Sequence, residues 1–319
     1  MIRSLCMAWN VFKLCKGLRV IGSLMIFAVL AIVGLTYYSL VILNYGPKLL
    51  KGGKGLAVAL PILIIFHLLL VMILWCYFVT VFTDPGSVPE HWRPALEEEG
   101  LEAHSGPLSE APTLNGATTS SDAASVNGSV QSQNVRYCRR CSHYKPPRTH
   151  HCSVCGRCVL KMDHHCVWVA TCVGALNYKF FLLFLLYTFL GTLLSTLSLL
   201  PPFIDYFKDI GQHSNSAINL AMTFLAFVLN VAFVLSLLGF IILHASLVFS
   251  NTTTIEAHEK KTSVRWRYDM GVRQNFEQVF GASKLFWVIP AYSQRDVQNM
   301  PVLQGFNYPV RPAFEEQYF

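Results

Sequence analysis

CRRCSHYKPPRTHHCSVCGRCVLKMDHHCVWVATC, running from Cys138 to Cys172, holds seven of the ten cysteines and five of the eleven histidines in a chain of 319 residues. Cys-x2-Cys pairs form the tight turns that seat a tetrahedral zinc ion, and thiolate and imidazole are ligands that suit zinc. The candidates run Cys138-x2-Cys141-x9-His151-Cys152-x2-Cys155-x2-Cys158-x6-His165-Cys166-x5-Cys172. A structural zinc takes four ligands, so two ions need eight. Cys138, Cys141, His151, Cys152, Cys155, Cys158, His165 and Cys172 supply them, leaving His143, His150, Asp163, His164 and Cys166 over. Other choices of eight exist, so the count alone leaves Cys166 open as a ligand.

The remainder has its own chemistry. A cysteine two residues from a histidine, with an aspartate beside that histidine, has the parts of an activated nucleophile: His164 takes the thiol proton and Asp163 orients the ring. Nearby positive charge would lower the thiol pKa further. The plainer alternative makes Cys166 a metal ligand and His164 a solvated loop residue.

Outside the cluster the chain is apolar, with 53% hydrophobic and 13% charged residues, against about 25% charged in soluble domains. A bilayer crossing takes about 20 residues of helix. Four stretches qualify, near Val20–Leu43, Leu56–Phe82, Phe180–Ile204 and Ile218–Phe249. The first is too long, and lacks the small-residue site, for a cleaved signal peptide. The expected fold is an all-α polytopic membrane protein, with four transmembrane helices and a cytosolic zinc-binding cysteine-rich domain between helices 2 and 3. Lys and Arg flank the N-terminus and enrich the middle segment and tail, which puts both termini in the cytosol, although Lys48, Lys51 and Lys54 in the first loop dissent. A cytosolic location favours metal or catalytic roles for the cysteines over disulfides. The net charge of +7 fits anionic lipid or an anionic substrate. Nucleic acid is not expected as a partner of a membrane-embedded chain.

The expected organisation is an N-terminal segment over 1–19 and a helix pair over 20–82. A linker over 83–135 follows, low in complexity and disordered across 95–134. The zinc domain spans 136–179, a second helix pair 180–249 and a tail 250–319. No internal repeat is expected. Asn127 and Asn251 lie in glycosylation sequons that a cytosolic location leaves unused. His67, Asn230 and His244 are polar groups inside apolar spans, and are functional suspects by default, although interhelical hydrogen bonds suffice to explain them. Cys76 reads as packing. Cys6 and Cys15 are candidates for acylation near the membrane.

Asp163-His164-His165-Cys166, set in this cysteine-rich segment between two helix pairs, resembles the DHHC-type protein S-acyltransferase (palmitoyltransferase) family. Supporting motifs are Asp84-Pro85-Gly86 after the second helix, Asn177-Tyr178-Lys179-Phe180-Phe181, Thr253-Thr254-Ile255-Glu256 after the fourth helix, and Asn275 to Gly281 in the tail. The resemblance implies one structural zinc on Cys138, Cys141, His151 and Cys158 and a second on Cys152, Cys155, His165 and Cys172. It implies Cys166 as nucleophile, His164 as base and Asp163 as orienting acid. The reaction would be ping-pong transfer of a palmitoyl group from acyl-CoA to cysteines of membrane-associated proteins, at an endomembrane (Golgi or ER) or the plasma membrane. Lys145, Arg148 and Lys161 are the candidates for contacts to CoA phosphates. Gly191 would leave room for a longer acyl chain if it faces the cavity. The sequence departs from the common pattern at Val167, Ala170 and Thr171, where Pro, Asn and Asn are usual. The rival classes are a zinc-bearing membrane ubiquitin ligase, whose alternating ligand pairs are absent, and a non-catalytic zinc scaffold.

Overall fold

The structure, a computed structural model, describes residues 11–90, 92–94, 136–208, 217–259 and 267–311. The linker expected over 95–134, with Asn127 and the N-terminal Cys6, lies outside these residues.

Among the described residues, four helices are long and apolar enough to cross a bilayer: Leu24–Lys51, Gly53–Phe82, Tyr178–Asp205 and Ala217–Phe249. They match the four expected stretches, with the first reaching further. That first span is composite. Helix α1 (Val11–Tyr37) passes into a π-helical segment, Tyr38–Tyr45, and then the short α2 (Gly46–Lys51). Long π-helical runs are rare and need side-chain support. Here Tyr45 Oη donates to the Ser198 carbonyl at 2.9 Å and Asn44 Nδ2 to the Ser39 carbonyl at 2.6 Å. A Cβ on Gly46 would stand 2.6 Å from the Val41 oxygen that its own N–H bonds, so glycine lets the wide turn close.

Helix α3 (Gly53–Phe82) and helix α4 (Tyr178–Lys208) pack side by side, and α5 (Ala217–Phe249) packs on α4. One buried cluster, with Leu40, Leu63, Phe66, Leu199 and Ala226, closes the far end of the bundle. A second, with Tyr77, Val169, Val173, Phe181, Phe184 and Val248, joins the helices to the cysteine-rich segment and contains Cys166. Beyond α5 come α6 (Thr254–His258), α7 (Val272–Phe280), a turn of 3-10 helix at Lys284–Phe286, α8 (Gln294–Asn299) and α9 (Pro301–Gln304).

Between α3 and α4 the cysteine-rich segment folds as three antiparallel hairpins: β1 (Arg136–Cys138) with β2 (His143–Lys145), β3 (His150–Cys152) with β4 (Arg157–Val159), and β5 (His164–Cys166) with β6 (Thr171–Val173). Their registers coincide. Tyr137 pairs with Tyr144, His151 with Cys158 and His165 with Cys172. Each position lies 14 residues after its counterpart. The expectation of no internal repeat is therefore corrected. The repeat is hidden because its first copy carries Tyr137 and Tyr144 where the later copies carry His and Cys.

Two ties seat this module on the bundle. Asp84, just past α3, accepts from the Gly86 N–H at 2.7 Å and from Arg157 Nη1 at 2.6 Å. The Gly86 carbonyl then accepts from Leu160 N–H. Gly174 lies so close that a Cβ there would sit 2.6 Å from the Pro85 oxygen and 2.9 Å from the Leu160 oxygen, both backbone atoms.

Candidate active site and metal centres

The hairpin repeat builds two clusters of four by one rule: the Cys-x2-Cys of one hairpin meets the cross-strand His/Cys pair of the next. Cys138 and Cys141 meet His151 and Cys158, while Cys152 and Cys155 meet His165 and Cys172. Zn–S bonds of about 2.3 Å and Zn–N bonds of about 2.0 Å imply tetrahedral edges of about 3.8 Å for S···S and about 3.5 Å for N···S. In the first cluster His151 Nδ1 lies 3.6, 3.2 and 3.9 Å from the three sulfurs, and Cys141 and Cys158 are 3.8 Å apart. In the second, His165 Nδ1 lies 3.7, 3.4 and 3.6 Å from its sulfurs, and Cys155 and Cys172 are 3.5 Å apart. Both donor sets fit a zinc ion. The third Cys-x2-Cys step, Cys155 to Cys158, is split between the two clusters.

Cys166 stands outside both sets. By the repeat it matches Cys152, but α4 begins where a fourth hairpin would have to follow. Its thiol, 8% exposed, instead borders an apolar cavity of about 370 Å³. Burial pushes the Cys166 thiol up, but the hydrogen bond and charge of His164, with the amides of Val169 and Trp168, together bring it below the ordinary range. His164 Nδ1 bonds Asp163 Oδ2 at 2.7 Å. Burial pulls the His164 pKa down, yet the Asp163 hydrogen bond and the contact with Cys166 lift it to about 9. Asp163, 3% exposed, also accepts from Thr254 N–H at 2.9 Å and Thr254 Oγ1 at 2.8 Å. Burial alone would raise its carboxyl, and these partners hold it below its usual value. The chemical state favoured is a thiolate beside an imidazolium that a carboxylate steadies.

The tail motifs serve this arrangement. Thr253 and Glu256 form a reciprocal capping box on α6, which presents Thr254 to Asp163. Glu256 takes two hydrogen bonds from Arg148, both at 2.7 Å. Asn275 Nδ2 donates to the Phe249 carbonyl at 2.6 Å and ties α7 to the end of α5. Asn177 Oδ1 accepts from Gly174 N–H, and its Nδ2 donates to the Cys172 carbonyl, so it braces the last hairpin against α4.

The three cations expected at CoA phosphates part company. Arg148 is buried, bonded to Glu256 and to both oxygens of Asn251, and lies over the rings of Tyr268 and Tyr308. Lys161 is buried too, 3.3 Å from Asn251 Oδ1, and burial followed by the nearby Arg148 charge draws its ammonium down to about 7. Both serve as internal struts in this structure. Lys145 remains accessible on β2, paired in register with the exposed Arg136. Asn251, the sequon residue, is buried among these groups.

The polar residues inside the spans also separate. His67 bonds the Leu63 carbonyl of its own helix turn, and Asn230 Nδ2 donates to Thr36 Oγ1 and the Ala226 carbonyl. His244 is different. It bonds Tyr178 Oη at 3.1 Å, its ring centre is 5.9 Å from that of His164, and it groups with Asp163 and His164. A histidine five residues before the end of an apolar helix was the available signal, and only the fold shows which cluster it joins. Cys76 is packed in the buried cluster, as expected. Gly191 does line the cavity, and a Cβ there would meet Ile73 Cδ1 at 2.8 Å.

The sequence profile of the DHHC palmitoyltransferase family matches residues 131–261. The protein named Probable protein S-acyltransferase 14, from Arabidopsis thaliana, is 58% identical over 311 residues, 98% of each chain. The chain belongs to the DHHC palmitoyltransferase family. Palmitoyltransferase ZDHHC20 of Homo sapiens is 34% identical over 290 residues, covering 89% of this chain and 77% of the human protein. Against the common DHHC pattern, the departure after Cys166 has a visible consequence. Ala170 sits at a φ of 54° in the turn between β5 and β6, a left-handed conformation that Asn adopts more readily than Ala.

Proposed function

We propose that this chain is a protein S-acyltransferase that carries a long-chain acyl group, palmitoyl above all, from acyl-CoA to cysteine thiols of membrane-associated proteins through a thioester on Cys166. The observation that carries this reading is the position of Cys166, the thiol that the metal clusters leave over. It is paired to His164 and Asp163 at the border of an apolar cavity. Along α4 the cavity is lined from Phe181 to Ser195, about 21 Å at 1.5 Å per residue, close to the length of an extended palmitoyl chain.

The Cys166 thiolate attacks the thioester carbonyl of acyl-CoA. The carbon–sulfur bond to CoA breaks, and the CoA thiolate takes the proton held on His164. In the second half, a substrate cysteine gives its proton to His164 and attacks the acyl group, and Cys166 leaves as thiolate. One thioester is exchanged for another in each half, so no further energy source enters. Two zinc ions, on Cys138, Cys141, His151 and Cys158 and on Cys152, Cys155, His165 and Cys172, would supply rigidity and no chemistry. The CoA phosphates stay in water, where Lys145 and Arg136 are among the accessible cations, while the acyl tail enters lipid at about 0.8 kcal/mol per methylene. On this reading both termini share the side of the zinc module, and the distribution of Lys and Arg supports the cytosol for that side. An endomembrane or the plasma membrane would house it.

Purified protein in nanodiscs, given radiolabelled palmitoyl-CoA, tests the reading. Hydroxylamine-labile label should reach the native chain and be absent from Cys166→Ala. Equal labelling of that variant, or none of the native chain, would overturn it.

A further inference from the structure

Residues 283–290 read Ser-Lys-Leu-Phe-Trp-Val-Ile-Pro, an apolar run in a tail otherwise rich in polar groups. Leu285 is 83% exposed and Val288 59% exposed. The run is built firmly despite this. Trp287 packs edge-on against Phe276 of α7, with ring centres 5.0 Å apart, and its indole N–H donates to the Gly281 carbonyl at 2.9 Å. The two exposed side chains therefore project from an ordered turn.

The position of that turn beside α4 says what they project into. Lys179 Nζ donates to the Ala291 carbonyl at 2.6 Å, Phe180 packs on Tyr292, and Tyr187 Oη donates to the Val288 carbonyl. From Ala291 back to Val288 the tail thus follows α4 from Lys179 to Tyr187, about 12 Å along the helix axis. Ile204 is the last apolar residue of α4 before Asp205. Counting back about 20 residues, the length that spans the hydrocarbon, reaches Leu185. Tyr187 lies two residues, about 3 Å, inside that limit, so the backbone it bonds sits at the hydrocarbon boundary. On the same helix Leu186 and Leu190 are exposed at 41% and 38%, as side chains facing lipid are.

The backbone is suited to the same place. Amides of Phe286, Trp287, Ile289 and Ala291 bond the carbonyls of Ser283, Lys284, Phe286 and Ile289, and Pro290 has no amide hydrogen. Irregular backbone at membrane depth needs such internal partners. The exposed Lys284 can extend to headgroups, and Trp and Tyr favour that boundary.

We infer that residues 283–290 are a wedge that inserts among the upper acyl chains of the leaflet on the zinc-module side and fixes the tail at a set depth. The inference rests on the four helices crossing a bilayer, and is independent of the chemistry at Cys166. Behind the wedge, α7 packs Val279 and Phe276 into the cluster that contains Cys166, so the anchor bears on the wall of the active site.

Full-length Leu285→Trp in nanodiscs tests it. The emission that this variant adds over the native chain should fall at least twofold with acyl-brominated phosphatidylcholine and stay unchanged with aqueous iodide. Quenching by iodide and not by brominated chains would overturn the wedge, whether a soluble partner or water covers that face. If the added tryptophan perturbs folding, Trp287→Phe gives the reporter by subtraction: the emission it removes should be the lipid-quenched part. Independently, the double variant Leu285→Glu/Val288→Glu should raise hydrogen exchange of amides 283–291 in nanodiscs at least tenfold. Unchanged exchange would count against insertion.

Discussion

Thr254 Oγ1 lies 2.8 Å from Asp163 Oδ2 and donates its proton there. The first residue of the tail helix thus holds an acid that lies 91 residues earlier, beside His164 and Cys166. A hydrogen bond to a charged group contributes about 1.5–3 kcal/mol. Thr254→Val, which keeps the backbone N–H bond, should slow acyl transfer by roughly tenfold or more at unchanged metal content. Serine at the same position should restore most of the rate. Single-turnover autoacylation measures both.

Metal content should separate the surplus cysteine from the ligands. Cys172→Ala should lose about one zinc per chain and unfold more readily, since structural zinc contributes directly to folding. Cys166→Ala should keep the native content. Plasma emission spectrometry on purified protein decides between them, and loss of zinc from Cys166→Ala would put that thiol back among the ligands.

Glu256 makes stability depend on pH. Burial would raise its carboxyl, but the charge and hydrogen bonds of Arg148, with the Thr253 amide and the Lys161 charge, together hold it below the ordinary value. A depressed carboxyl gives stability that is present above the ordinary carboxylate range and is lost as pH falls through the folded value. Removing one partner of a buried ion pair costs about 3–5 kcal/mol. Glu256→Gln should therefore melt well below the native protein at neutral pH, and the gap should narrow on acidification. Thermal unfolding in detergent across that range checks the sign.

Gly191 lies on the cavity wall ten residues past Phe181, about 15 Å along α4. Leucine there should block the deeper part of the cavity and shift preference toward chains shorter by two to four methylenes, each about 0.8 kcal/mol. Competition between labelled acyl-CoAs of different length reads this out as an altered product ratio.

Ala170 holds a left-handed conformation that disfavours a side chain by roughly 1–2 kcal/mol, with Asn an exception. Ala170→Asn should raise the unfolding midpoint without loss of labelling at Cys166. An unchanged or lower midpoint would show that this turn is not strained.

Much of this was legible in the chain. Four spans are visible because about 20 apolar residues in a row have few other uses. Ligand spacing gave eight zinc donors, but which eight needed the family pattern, because count alone does not say which thiol faces which imidazole. The burial of Arg148 and Lys161 is not legible in the sequence, for a physical reason. A lysine or arginine in a polar segment reads as surface, and only the return of the tail, with Glu256 and Asn251, buries them. The same long-range closure brings His244 to Asp163. Contacts between residues 80 to 110 apart leave no mark in local composition.

The hairpin repeat gives the reactive thiol an economical origin. A string of like modules, each lending two cysteines to its successor, must finish on a member with no successor. Cys166 stands at that final position, with Val169 where a second donor would be. Lengthening the string by one more hairpin would offer that sulfur a metal to bind. Ending it against a lipid-bound helix leaves the sulfur unclaimed, held by a rigid neighbour, at the border between water and oil. On the function proposed above, reactivity arises from stopping a structural pattern one step early.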